Sequence, residues 1–146
     1  MDTIAHILKE KGTDVHHTSP DKTVLSAVEM MSSKGIGALM VCEEGQPLGM
    51  FTERDLMTRV ILGGRDPATT RIDEVMSTEV VFVEPSTRAE EAMAVMTERR
   101  CRHLPVVSEG KVVGLISIGD LVRWASRNQE FQIRQLEDYI CGKYPG

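Results

Sequence analysis

The sequence predicts an α+β protein made of two copies of one β-α-β-β-α unit. The segments 49–56 (GMFTERDL) and 114–121 (GLISIGDL) are similar and lie 65 residues apart. At that spacing, eleven identities fall without a gap within the 43 positions from Val15 to Met57, whereas ordinary residue usage would give about three. Within each copy, short runs of strand character alternate with segments of helical period. The repeated Gly-x-x-Thr/Ser-x-x-Asp is therefore the first place to look for function.

Length and composition limit the classes of protein that remain. The chain has 146 residues, 41% hydrophobic and 27% charged, as in soluble globular proteins. One copy of about 60 residues buries little core alone, so we expect the two copies to pack together. No apolar run approaches the roughly 20 residues of a membrane span, and no signal peptide is evident, so we expect a cytoplasmic protein without a membrane partner. A net charge of −5 argues against a nucleic-acid partner.

The first copy follows a short helix that carries Ile4, Ile7 and Leu8 and ends at Gly12. Its predicted elements are, in order, a strand over 15–18, a helix over 24–34 that ends at Gly35, strands over 38–42 and 48–51, and a helix from Thr52 to Gly63. The polar stretch 65–71 is predicted to be a linker.

The second copy repeats this series. Its predicted elements are a strand over 80–83, a helix with Ala89, Ala92, Met93 and Met96 on one face, strands over 104–107 and 112–117, and a helix from Ile118. Beyond residue 128, apolar residues recur on one side of a further helix: Phe131, Ile133, Leu136, Tyr139 and Ile140. That helix either covers the second copy or pairs with another subunit. The predicted domains are 1–66, 67–127 and the C-terminal extension 128–146.

The repeated motif has two compatible interpretations. Thr52-x-x-Asp55 and Ser117-x-x-Asp120 are each typical of a helix capping box, with Asp in place of Glu or Gln. The unpaired N–H groups and partial positive charge of a helix start also favour an anion such as phosphate. A carboxylate one turn further along suits a sugar diol, as in dinucleotide sites. We expect both capping and nucleotide binding.

These residues resemble the CBS-domain family, specifically stand-alone tandem CBS proteins (CBS pairs, or Bateman modules). The resemblance covers essentially the whole chain. It is carried by the segments 36–39 (IGAL), 49–55 (GMFTERD), 102–107 (RHLPVV), 114–120 (GLISIGD) and 129–140 (QEFQIRQLEDYI).

The resemblance implies two units about a pseudo-twofold axis, with clefts that bind AMP, ADP, ATP, S-adenosylmethionine or NAD(H), and association into a homodimer. Phosphate and ribose positions of the family fall on Thr52, Asp55, Ser117 and Asp120. Positions that line the adenine fall on Thr18, Ile36, Ala38, Val83, Cys101 and His103.

The two copies differ in charge near the motif. Arg54 precedes Asp55, whereas Gly119 precedes Asp120, and Arg102 and His103 stand where the first copy has Gly37 and Ala38. Because guanidinium groups bind phosphate in a bidentate manner, we expect the second copy to take the more highly charged ligand. His103 could also protonate near neutrality.

The sequence bears on three classes of function. An enzyme is rejected, because no nucleophile–base pattern, metal-ligand spacing or Walker sequence occurs, and no catalytic cofactor is expected. The leading hypothesis is a regulatory module that senses an adenine nucleotide and acts on a separate, unidentified protein. The alternative is a structural or protein-interaction module in which the motif only caps helices. A redox role for Cys42, Cys101 or Cys141 is a minor third possibility, strongest for Cys101 among arginines.

Overall fold

A computed structural model describes residues 2–127 of the chain. The fold divides into two compact units. We call Val15–Val80 the first-repeat unit, and residues 2–14 together with 81–127 the second-repeat unit. The predicted C-terminal helix and Cys141 lie outside the described residues.

The predicted α+β class is confirmed. The elements are, in order, α1 (Ile4–Lys11), β1 (His17–Thr18), α2 (Val24–Lys34), β2 (Ala38–Glu43), β3 (Gln46–Thr52), α3 (Glu53–Asp55, continued as a π-helix over Leu56–Ile61), a 3₁₀ turn (Ile72–Glu74), α4 (Ala89–Arg99), β4 (His103–Ser108), β5 (Lys111–Ser117) and α5 (Ile118–Ser126). A shift of 65 residues carries α2 onto α4, β2 onto β4 and β3 onto β5 without any offset.

The two hairpins are alike in detail. β2 and β3 are antiparallel with a register shift after Val41, and β4 and β5 are antiparallel with the same shift after Val106. Both turns pass through an identical Glu-Gly pair with positive φ at both residues: 51° and 80° at Glu44–Gly45, 53° and 76° at Glu109–Gly110. Tight hairpin turns need this conformation, which glycine adopts without strain.

The first strands of the two copies are unequal. β1 pairs in parallel with β2, through His17 with Met40 and Thr18 with Val41. In the second copy Val83 alone pairs, with Val106, so the strand predicted over 80–83 is wrong in extent. Val83 still makes the equivalent contact, since its amide bonds to Pro105 O and its carbonyl accepts from the Val107 amide.

Each unit has its own apolar core. Phe51, Leu39 and Ile72 are fully buried in the first-repeat unit. In the second-repeat unit, Ile4 and Leu8 of α1 pack with residues of α4, the hairpin and α5. Packing therefore places α1 with the second copy, although it precedes the first copy in the chain. The division predicted from chain order at residues 66 and 67 follows the repeat rather than this packing.

The stretch 65–71 is not a free linker. The carbonyls of Pro67 and Thr70 accept hydrogen bonds of 2.9 Å from the amides of Leu25 and Val24, respectively. Thr70 is buried, and Ile72 directly after the stretch is in the core. The stretch connects the two copies as predicted, but it is packed, because these carbonyls satisfy the otherwise unpaired amides at the start of α2.

Within residues 2–127, each helix is too short or too polar to cross a lipid bilayer.

Candidate functional site

Two helix starts in the protein have the same construction. The Thr52 hydroxyl accepts a hydrogen bond from the Asp55 amide at 3.2 Å, and the Asp55 carboxylate accepts one from the Thr52 amide at 3.1 Å. The corresponding distances at Ser117 and Asp120 are 3.2 and 2.8 Å. The predicted capping box is therefore present in both copies, with Asp as the third helical residue.

The remaining first-turn amides are less available than predicted. The amide of Glu53 donates to Gly37 O at 3.1 Å, and the amide of Ile118 donates to Arg102 O at 2.9 Å. Each helix thus has its first amide bonded to the segment before the middle strand and its third bonded to the capping hydroxyl. These two amides therefore already have partners within the chain and are not open to an anion.

The first acid, Asp55, is buried and has two close donors. Besides the Thr52 amide, the Ser77 hydroxyl donates to Asp55 Oδ1 at 2.9 Å. Arg59 Nε lies 3.7 Å from the same oxygen, while the Arg59 guanidinium donates to Met76 O at 2.9 Å. A carboxylate has about four acceptor positions, so some acceptor positions of Asp55 are not used by these two donors.

The second acid, Asp120, is equally buried but has four donors. Oδ2 accepts from the Ser117 amide, from the Ser117 hydroxyl at 3.1 Å and from Lys11 Nζ at 2.7 Å. Oδ1 accepts from the Arg123 guanidinium. Burial works against ionisation, but the hydrogen bonds from Lys11 and Ser117 outweigh it, and the pKa of Asp120 lies below its usual value.

Each acid is held by one residue from outside the repeat. The Ser77 amide donates to Met50 O at 2.8 Å while its hydroxyl binds Asp55. Lys11 Nζ donates to Leu115 O at 2.7 Å while it also binds Asp120. Met50 and Leu115 are equivalent positions of the repeat. We call Ser77 and Lys11 the outside donors; repeat matching could not find them because neither lies in the matched segments.

The repeated glycine is explained by the same packing. A Cβ added at Gly49 would lie 2.4 Å from Ser77 O, and one added at Gly114 would lie 2.6 Å from a methyl of Leu8. Real Cβ atoms do not approach other atoms this closely. The glycines thus let the segments that carry the outside donors lie against β3 and β5.

The positions assigned to adenine are only partly brought together. Ala38 pairs with Thr52 across the first hairpin, and His103 pairs with Ser117 across the second. The other adenine positions are placed as follows: Thr18 is buried opposite Val41, Val83 is buried opposite Val106, and Ile36 and Cys101 precede the middle strands and are partly buried against their cores. The two arginines singled out for their charge, Arg54 and Arg102, are exposed.

Two expectations about titration are wrong. Burial lowers the pKa of His103 to about 4, and the positive charges of Arg102 and Lys11 lower it further than the negative charge of Asp120 raises it. This imidazole is therefore neutral near pH 7. Burial raises the pKa of the Cys101 thiol, and Arg99 offsets this only in part. Burial likewise raises the pKa of Cys42. Neither thiol is activated.

No group of three or more His, Cys, Asp or Glu side chains within residues 2–127 is arranged to hold a metal ion.

Comparison with known proteins identifies the family. The CBS-domain profile matches residues 4–62 and again 72–127. The chain belongs to the CBS-domain family. It is 34% identical over 151 residues to the mitochondrial CBS-domain protein CBSX3 of Arabidopsis thaliana, covering 97% of this chain and 73% of that protein.

Solved structures agree with this assignment. A CBS-domain protein of Burkholderia ambifaria MC40-6, with a suggested role in signal transduction, is 44% identical with a TM-score of 0.84, over 89% of this chain and 98% of that one. The CBS pair of MJ0100, solved with 5′-methylthioadenosine and S-adenosylmethionine, shares the fold: its TM-score is 0.75 at 18% identity, over 85% of this chain and 99% of that one. CBS pairs are often regulatory modules in signal transduction rather than catalysts.

Proposed function

We propose that the protein is a regulatory module that binds an adenosine-containing ligand at its capped helix starts and acts on a separate protein. The observation that carries the proposal is the twofold occurrence of one arrangement, a hydroxyl and a buried carboxylate held together at a helix start. A helix needs only a cap, which an exposed Ser, Thr, Asp or Asn supplies. Burying the acid in both copies adds a desolvation cost that capping does not require.

The chemistry of these groups suits a phosphorylated ribose. The capping hydroxyl accepts one amide hydrogen bond and can still donate its own proton to a phosphate oxygen at Thr52. The Asp55 carboxylate has acceptor capacity left for the two hydroxyls of a ribose. The base would then lie toward the adenine positions, of which Ala38 is adjacent to Thr52 in the hairpin.

The proposed ligand set is AMP, ADP or ATP, with NAD(H) and S-adenosylmethionine as further members. It is supported by the CBS family membership and by the adenosine compounds bound to the structural relative MJ0100. A ligand can alter the output only if it binds one conformation of the module more tightly than another. The homodimer and the downstream protein remain predictions from the family.

A structural module without a ligand is the second candidate. It is favoured by the capping boxes themselves, because both hydroxyls and both carboxylates already have partners within the chain. A ligand that binds only the folded state adds about 2.7 kcal/mol at a hundred times its dissociation constant. For a chain of this size that is a rise of about 5 °C or more in Tm.

The experiment is a thermal-shift screen of the five ligand classes, followed by calorimetric titration of any that respond. Asp55→Asn and Asp120→Asn, which keep the shape of the side chain, should each weaken binding at one site by about tenfold or more. Asp21→Asn, an exposed position in the first-repeat unit, is the matched control and should change nothing. No response from any ligand would support the structural module instead, whereas equal affinities in all three variants would place the ligand away from both acids and overturn the proposed site.

A further inference from the structure

The two acids differ in the charge of their outside donor. Ser77 is neutral and binds Asp55 through a hydroxyl, whereas Lys11 is a cation and binds Asp120 through an ammonium group. Arg123 adds a second cation on the other oxygen of Asp120. At Asp55 the nearest cation, Arg59, is 3.7 Å away and also donates to a backbone carbonyl.

This difference changes what a ligand must do to reach each carboxylate. At Asp55, a sugar diol can use acceptor positions that the chain leaves open. At Asp120, Oδ2 already accepts three hydrogen bonds and Oδ1 accepts one, so a diol that binds both oxygens must displace a donor from Oδ2, and Lys11 is the donor there that lies outside the motif. A cation separated from a buried carboxylate loses a charge-assisted hydrogen bond, and an uncharged nucleoside offers it no replacement.

A phosphate group does offer a replacement. Lys11 Nζ is 2.7 Å from Asp120 Oδ2, which is 3.1 Å from the Ser117 hydroxyl, so the ammonium lies within about 6 Å of that hydroxyl. The Arg123 side chain is 68% exposed and can turn from the carboxylate to an anion without breaking core packing. A phosphate bound at Ser117 would therefore be within reach of both cations.

We propose that Lys11, together with Arg123, makes the Ser117–Asp120 site selective for phosphorylated ligands. When the ligand binds, Lys11 and Arg123 release the Asp120 carboxylate and donate to the phosphate instead. The Asp120 carboxylate can then accept hydrogen bonds from the sugar hydroxyls. The Thr52–Asp55 site, with Ser77 in place of the lysine, has no such requirement and discriminates less between a nucleotide and its nucleoside. This inference rests on the proposed function and names the residue outside the repeat that sets ligand preference.

The test compares AMP with adenosine in the Asp55→Asn background, which removes the acid of the other site. Trp124 is the only tryptophan of the chain and lies in α5 one turn after Asp120, so its fluorescence reports on this site. With Lys11 intact, AMP should bind at least about tenfold more tightly than adenosine. Lys11→Met should narrow that ratio by about tenfold, since a unit charge a few ångström from a phosphate contributes on this order.

Controls separate the charge of Lys11 from its packing. Lys11→Arg keeps the charge and should keep the ratio. Lys9→Met removes the same charge from the same helix at an exposed position and should also keep it. Lys11→Gln serves as the second neutral variant should the methionine variant fold poorly. Raising the salt concentration should weaken AMP binding at this site relative to adenosine binding.

Each outcome decides between the proposals. An AMP-to-adenosine ratio that is unchanged in both neutral variants, or equal losses for both ligands, assigns Lys11 a purely structural role and overturns this inference. If AMP binds the wild-type chain but not the Asp55→Asn variant, the second site is no nucleotide site and only the proposed function at Asp55 survives. Absence of binding to the wild-type chain overturns both.

Discussion

The same substitution at the two repeated glycines should have unequal costs. In Gly49→Ala the new methyl group meets the backbone carbonyl of Ser77 at 2.4 Å, and backbone cannot move without disturbing its own bonds. Those bonds are the pair that joins Met50 to Ser77, at 2.9 and 2.8 Å. Overpacking of this kind costs about 1–3 kcal/mol and a weakened hydrogen bond about 1 kcal/mol more. Replacing glycine by alanine also lowers the conformational entropy of the unfolded chain, which offsets about 0.4–1 kcal/mol of this loss.

The expected loss of unfolding free energy for Gly49→Ala is therefore about 2–3 kcal/mol. In Gly114→Ala the methyl group meets the two methyl groups of Leu8 at 2.6 and 2.8 Å. These atoms end a flexible side chain that can change rotamer, so the expected loss is about 1 kcal/mol. Neither site has positive φ, so backbone strain adds nothing.

Urea denaturation followed by circular dichroism measures both values on the full chain, with the slope m checked for constancy. Ser77→Ala is the matched control for Gly49→Ala, because it removes the hydroxyl bond to Asp55 and leaves the backbone pair intact. An equal or smaller loss for Gly49→Ala than for Gly114→Ala would refute the argument that backbone packing distinguishes these positions.

Two further predictions concern titration. His103 is neutral when folded and its pKa is about 4, whereas the unfolded imidazole takes up a proton below about pH 6.5. The His103 contribution to folding stability should therefore fall as the pH drops from 6.5 to 4, by up to about 3 kcal/mol, and the slope should become shallower in His103→Gln; the groups that face His103 are Lys11, Arg102 and Asp120. Cys101, with its raised pKa, should react with iodoacetamide at pH 7.5 several-fold more slowly than free cysteine, and faster alkylation would contradict its burial.

Much of the fold was predictable because the same elements are predicted independently at equivalent positions of the two copies. The strands from Ala38 and from Leu104 were both predicted, and the helix ending at Gly35 was found with that glycine in the left-handed conformation at its C-terminus. Local signals of this kind (a turn glycine, a capping residue, apolar residues at helical spacing) depend only on neighbours in sequence.

The errors arose where distant contacts decide the outcome. Residues 65–71 look like a linker by composition, yet the carbonyls of Pro67 and Thr70 complete the start of α2. The arginines on either side of Cys101 suggested an activated thiol, yet partial burial outweighs them. Periodicity and charge counts contain no information on desolvation, which is what shifts the pKa of Cys101 and His103.

The capping boxes at Thr52 and Ser117 were predicted from the motif, whereas Ser77 and Lys11 were not. The segments that carry the two outside donors pack in equivalent places, because Asp2 O accepts from the Ala89 amide as Thr70 O accepts from the Val24 amide. Asp2 and Thr70 are 68 residues apart rather than 65, so the ungapped match does not align these segments. The sequence offers one indirect signal. A glycine inside a strand suggests close approach of another backbone or side chain, and both copies have one.

Duplication with unequal outside donors has a consequence for how two similar sites come to differ. Residues inside the repeated motif are constrained in both copies by the same capping geometry, so Thr52 with Asp55 and Ser117 with Asp120 have little freedom to diverge. An outside donor needs to supply only two hydrogen bonds, one to the acid and one to a carbonyl of the preceding strand. Ser77 does so with its hydroxyl and its amide, and Lys11 does so with its ammonium group alone. The charge at the carboxylate can therefore change by a full unit while the motif stays the same. If the proposed ligand sites are correct, residues outside the motif should determine ligand preference, and substitutions that exchange the charge of the outside donor should alter that preference without altering the fold.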